Sequence, residues 1–118
     1  MIVDPNLKSS AITNYKGCEI EVVTDLNDVI YFRQRDIADV LGITRNALIG
    51  SVRDRIGSKT TVYFMTKYSD DSWRGNDLYY HTGFLSKYHL IELMQKRKSK
   101  ASKLLLAWVS DFIKGVGE

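Results

Sequence analysis

QRDIADVLGITRNALIGSVR, residues 34–53, reads as two short helices joined by a tight turn. Ile37, Ala38 and Leu41 recur at helical spacing and fall on one face of the first helix. Gly42 breaks that helix where a tight turn needs positive φ or a close approach. Thr44 stands where a side-chain oxygen can accept from the free N–H groups that open a second helix. Leu48 and Val52 give that second helix a buried face, and Ala38 is small where two helices would meet. Arg45, Asn46, Ser51 and Arg53 on the second helix suit phosphates and base edges. In a helix-turn-helix the start of the second helix meets the base edges. There an arginine can pair with guanine and an asparagine with adenine. The same apolar pattern would also serve a helix pair that only packs a core, with Arg45 and Asn46 solvated or capping.

Working outward, Cys18, Ile20 and Val22 alternate with Glu19 and Glu21, the period of a half-buried strand. Residues 25–28 (DLND) turn the chain into a returning strand at 29–32, which makes a hairpin. Ahead of it, residues 1–15 carry the turn signal Asp4-Pro5-Asn6 and read as an irregular lead-in. Beyond the helix pair, residues 60–66 (TTVYFMT) are rich in β-branched and aromatic types. Residues 77–82 (DLYYHT) return after the turn-rich SDDSWRGN at 69–76, and this second hairpin is placed to act as a wing beside the second helix. Ser86 can cap a third helix whose apolar positions include Leu90, Ile91, Leu93 and Met94. The basic run QKRKSK separates it from a last helix, in which Ala101, Leu104, Leu105, Trp108 and Phe112 form an amphipathic stripe. The expected fold is α+β, with two β-hairpins and about four helices, the helix-turn-helix-like pair following the first hairpin.

A chain of 118 residues suits one domain. Its 44% hydrophobic content is in the ordinary globular range. One proline and no low-complexity run argue against disorder. No apolar run is long enough to span a bilayer, and MIVDPNLKSS does not read as a signal peptide. The single cysteine, Cys18, cannot pair internally and fits a reducing, intracellular setting. The net charge of +3 decides little by itself. Its distribution says more, because bases gather between Arg33 and Arg55 and again at Lys96, Arg97, Lys98, Lys100 and Lys103. Clustered bases are the electrostatic footprint of a nucleic-acid binder.

Trp73 and Arg74 at the second hairpin's tip could stack on a base and touch a phosphate, against the reading of a loop folded back on the surface. The run Lys96, Arg97, Lys98 and Lys100 could track phosphates or simply be a solvated helix connection. His81 and His89 have no partners at metal-ligand spacing and read as structural or surface residues. No phosphate-cradling glycine loop, CxxC, HExxH or GxSxG is present, so the residues give no support to an enzyme.

Two stretches carry a family resemblance. IYFRQRDIADVLGI, residues 30–43, is similar to an aromatic strand end followed by a D-[VI]-A-x-x-L-G helix, with Phe32, Asp36, Ile37, Ala38, Leu41 and Gly42 as the matching positions. FLSKYHLIELMQKRKSKASKLLLAWVSDFI, residues 84–113, matches a second segment through Ser86, Leu90, Leu93, Ala101, Leu105, Trp108 and Val109. Together they resemble the BRO-N domain, the N-terminal module of the baculovirus repeated-ORF proteins, and the related MSV199-type and phage antirepressor domains. His89 stands where that pattern often has glycine. The resemblance implies an α+β DNA-binding domain over residues 16–118, from a large DNA virus or mobile element, of the kind that precedes a variable C-terminal domain.

The resulting expectation is a non-enzymatic DNA-binding domain of a viral protein acting in regulation of viral or host transcription or replication. The alternative is a protein-interaction module for a host or viral factor. Arg45, Asn46 and Arg53 are the candidate contacts on the second helix. Arg33 and Arg35 are candidates at the start of the first helix, Arg74 at the hairpin tip, and Lys96, Arg97, Lys98 and Lys100 at the basic run. The expected partner is DNA, double- or single-stranded. A homodimer is compatible with paired half-sites, and no membrane, metal or cofactor is expected. The setting would be intracellular, in the host nucleus or cytoplasm for a viral protein.

Overall fold

Residues 7–15, part of the expected irregular lead-in, form a strand. The computed structural model describes residues 4–68 and 78–117. Leu7–Tyr15 (β1) pairs antiparallel with Cys18–Asp25 (β2). Lys16 and Gly17 make the two-residue turn between them, with φ of 52° and 86°. Positive φ at both central residues matches the twist of the flanking strands, and Asn14 Oδ1 accepts the Gly17 N–H at 3.0 Å. The strand is hard to read from sequence because only its end residues, Leu7 and Tyr15, are buried, and the residues between them show no apolar alternation.

Ile30–Arg33 (β3) pairs with β2, and the chain passes directly into Gln34–Leu41 (α1) and Arg45–Arg55 (α2). A short 3-10 turn at Ser58–Thr60 leads to Thr61–Tyr68 (β4) and Leu78–Ser86 (β5). Lys87–Arg97 (α3) and Lys100–Gly117 (α4) complete the fold. The five strands form one sheet in the order β1-β2-β3-β5-β4. Strands β4 and β5 therefore do not stand off as a wing. β5 is an interior strand, joined to β3 through Tyr31–Ser86, Phe32–Leu85 and Arg33–Phe84. The expected tip, 69–76, lies outside the described residues.

The helix ends follow local chemistry. Gly42 takes φ 71° and stops α1. Its N–H bonds to Asp39 O at 3.2 Å and the Ile43 N–H to Ala38 O at 3.1 Å, so two otherwise orphaned carbonyls are satisfied. Thr44 Oγ1 accepts from Ala47 N at 3.1 Å. Ser86 Oγ accepts from His89 N at 3.2 Å and Ser99 Oγ from Ser102 N at 3.1 Å, opening α3 and α4.

One face of the sheet holds the main core. Ile20, Val22, Ile30, Phe32 and Leu85 meet Ile37 and Ala38 of α1, Leu48 and Val52 of α2, Leu90, Leu93 and Met94 of α3, and Leu105 and Val109 of α4. Trp108 stacks on Phe112 at the margin of this core, with centroids 5.2 Å apart. The back face is smaller, built from Leu7, Val23, Phe64 and Phe84 with Tyr31 and Val62. The segment ahead of β1 closes it: the buried Asp4 accepts from Met65 N on the edge strand β4 at 2.7 Å and from Asn6 N at 2.9 Å.

Candidate nucleic-acid interface

Helix α2 turns Leu48, Ser51 and Val52 inward. The remainder of its 3.6-residue period leaves Arg45, Asn46, Ile49 and Arg53 exposed on the outer side. Ile49 is 41% exposed in the middle of this stripe. A helix of 11 residues is about 16 Å long, so Arg45 and Arg53 mark its two ends. Arg53 Nε lies 3.1 Å from Asp54 Oδ1, and both side chains are well exposed.

The start of α2 adjoins the start of α1 and the strand β5. Arg33, Gln34, Arg35, Arg45, His81, Thr82 and Gly83 line one cleft of about 190 Å³ there. Gln34 is buried and its Nε2 donates to Thr61 Oγ1 at 2.7 Å. Gly83 is required beneath it, since a Cβ would stand 3.0 Å from Gln34 Oε1 and 3.2 Å from Thr61 Cγ2. A second cavity, about 690 Å³, lies between strands β1–β3 and the end of α4 and is lined by residues including Ala11, Val22, Ile30, Phe112 and Ile113. Among the described residues Lys87 is the sole cation lining it, against four basic side chains at the smaller cleft.

The expected contact residues fall into different settings. Arg35, Arg45 and Asn46 are exposed beside the cleft or on the outer stripe. Arg33 is half-buried and pairs with Glu21 at 3.1 Å, with its Nε 4.0 Å from Asp36. The pairing follows from register, because Glu21 and Arg33 stand one step beyond the Val22–Phe32 pair. Lys96 bonds to Glu92 and to the Arg55 carbonyl, each at 3.0 Å. Arg97 donates to Ser51 Oγ at 3.0 Å and Ser102 Oγ at 3.3 Å. Since Ser51 belongs to the inward side of α2, Arg97 reaches that helix from within the fold. Lys98 occupies the left-handed turn after α3, φ 58°, and Lys100 begins α4, both exposed. Arg74 lies outside the described residues.

Asp36 is shaped by burial, which raises its pKa; Glu21 N–H, donating at 2.8 Å, and the Arg33 charge oppose that without cancelling it. Sequence reading set His81 aside and did not single out Gly83. The available signal was their spacing of two in a strand, which puts both on one face, but the strand expected at 77–82 stops short of Gly83. Among the described residues no group of three or more His, Cys, Asp or Glu could hold a metal ion. No described helix is long and apolar enough to cross a membrane.

No curated protein and no solved structure matches the chain. A family model does. Residues 19–114 match that of the BRO family, N-terminal domain, a domain of DNA-binding type in viral and phage proteins. The match begins in β2, ends in α4 and takes in both helices at the basic cleft, and on it the chain belongs to the BRO family as an N-terminal domain.

Proposed function

We propose that this domain binds double-stranded DNA without acting on it chemically, and that it serves the control of viral or host transcription or replication. The observation that carries the reading is the outer stripe of α2, where Arg45, Asn46, Ile49 and Arg53 are exposed together on a helix fixed by the Gly42 turn and the Thr44 cap. Such a helix can enter a major groove with its first residues toward base edges. Asn46 suits adenine, and the exposed Ile49 suits a thymine methyl. Lys98 and Lys100 add exposed cations.

The test is a titration of short labelled duplexes over a range of salt concentrations. Each phosphate neutralised contributes about 0.9 to the slope of log affinity against log salt. A steep slope is the expected result, and a slope near zero would overturn the reading. Incubation of the same duplexes with the protein and magnesium should leave them uncut. Charge reversal at Arg45 and Arg53 should abolish binding.

A further inference from the structure

We infer that the outer edge of β1 pairs with the same edge of a second copy of this chain, antiparallel about a two-fold axis at Ile12, so that two five-stranded sheets become one. The inference does not depend on the DNA-binding reading above.

Strand β1 stands first in the sheet order and has β2 on one side only. It is nine residues long, and residues 8–12 and Asn14 are exposed. An edge strand offers unpaired N–H and C=O groups to another chain, and proteins that keep such an edge apart use lysine, proline, bulges or a covering segment. Here a bulge falls at Lys8, where the register shifts between Leu7 and Ser9. From Ser9 to Tyr15 (SSAITNY) the strand carries neither charge nor proline. The opposite edge is treated differently, because the segment ahead of β1 reaches β4 and Asp4 accepts the Met65 N–H at 2.7 Å.

Backbone direction fixes which residues can pair. Tyr15 and Cys18 flank the two-residue turn and stand opposite each other. In an antiparallel pair, hydrogen bonding to a given neighbour alternates along the strand. Tyr15, Thr13 and Ala11 therefore direct their N–H and C=O groups to Cys18, Ile20 and Val22, while Asn14, Ile12 and Ser10 direct theirs outward. A second copy must set outward residues against outward residues. Centring the pair on Ile12 uses all three and spans the whole uncharged stretch. Ile12, 60% exposed, then meets its own counterpart. Ser10 meets Asn14 of the second copy, polar against polar, and Ala11 meets Thr13. Neighbouring charges are already compensated: Lys8 holds Asp28 at 2.6 Å, and Glu21, beside Ile12 on β2, holds Arg33 at 3.1 Å. A contact of one patch with itself closes on two copies. The resulting particle carries two copies of α2, an arrangement suited to paired half-sites.

The experiment is sedimentation velocity of the whole chain over a wide concentration range, with the variants Ile12→Lys, Ile12→Glu and Ile12→Val. Circular dichroism checks that each is folded. Wild type and Ile12→Val should pass from monomer to dimer as concentration rises. Ile12→Lys and Ile12→Glu should each stay monomeric, since like charges directly opposite repel across strands. Their equimolar mixture should recover the dimer, because the register centred on Ile12 sets position 12 against itself. Hydrogen exchange on the wild type needs no variant: the Ser10, Ile12 and Asn14 amides should slow at high concentration, and the Ala11 and Thr13 amides, bonded to β2 in both states, should not. A wild type that stays monomeric throughout would overturn the inference. A dimer that Ile12→Lys leaves intact would place the contact elsewhere and overturn it too. A mixture of the charged variants that stays monomeric would reject the two-fold register, and species larger than a dimer would reject the closed pair. Salt-dependent DNA binding is read separately and stands or falls by its own titration.

Discussion

Gly83 has neighbours on the side where its Cβ would stand: Gln34 Oε1 at 3.0 Å, Thr61 Cγ2 at 3.2 Å and the Tyr63 ring at 3.5 Å. Gly83→Ala should therefore disturb the Gln34–Thr61 hydrogen bond and destabilise the fold by about 1–3 kcal/mol, read as a lower midpoint in urea unfolding with an unchanged m-value. Gly42 differs, because a Cβ there meets nothing within 4 Å and the constraint is φ 71° alone. Gly42→Ala should cost roughly 1–2 kcal/mol by the same measurement, with Gly42→Asn less harmful because asparagine enters the left-handed region more readily. Two carboxylates give residue-scale tests with opposite pH dependence. The pKa of Asp36 is raised, so its proton is held more tightly in the native state, and stability falls as pH rises from 3.8 through the raised value. Burial also pushes Asp4 upward, but the N–H groups of Met65 and Asn6 and the charge of His81 outweigh it, leaving the pKa lowered. Its contribution is present above 3.8 and is lost as pH falls through the lowered value. Urea unfolding across a pH series should show the deficit of Asp4→Asn shrinking in acid. Asp36→Asn should gain relative to wild type as pH climbs through the raised value of Asp36.

At the scale of elements, α2 combines two separable tasks. Leu48 is fully buried between this helix and the core, and Leu48→Ala should cost about 2–5 kcal/mol in urea unfolding. Asn46→Ala leaves that packing alone because Asn46 is exposed. It should weaken binding to some duplexes more than others, by about 1–3 kcal/mol at a site where it pairs with a base, seen by comparing affinities across sequences. The helix pair was legible because its signals are local: Gly42 in the left-handed turn, Thr44 as the cap, and Ile37, Ala38, Leu48 and Val52 inward. Ser86 and the Leu105–Val109 face of α4 were legible for the same reason. β1 was not, since an edge strand with exposed Ser9, Ser10, Ala11, Ile12 and Asn14 needs no apolar alternation. The insertion of β5 beside β3 was equally hidden. Pairing Tyr31 with Ser86 is set by a contact across the chain and leaves no mark on nearby residues. The loss of Arg33 to Glu21 follows from strand register, which spacing alone does not reveal.

Across the whole molecule, the layout separates the surface proposed to meet DNA from the parts that hold the sheet together. The basic cleft opens where α1 and α2 begin, and the back face is fastened by Asp4 on Met65 at the far edge strand. Asp4→Ala should release that fastening and leave Leu7 and Phe64 less protected, seen as faster hydrogen exchange at the Met65 amide and the neighbouring β4 amides. The binding surface should be affected far less, which DNA titration of the same variant would check. The contacts of α3 with α2 have a mechanical meaning. Lys96 holds the Arg55 carbonyl, and Arg97 joins Ser51 on α2 to Ser102 on α4. The arginine works as a rivet through three helices, so that torque applied to α4 would reach α2, the helix proposed to meet DNA.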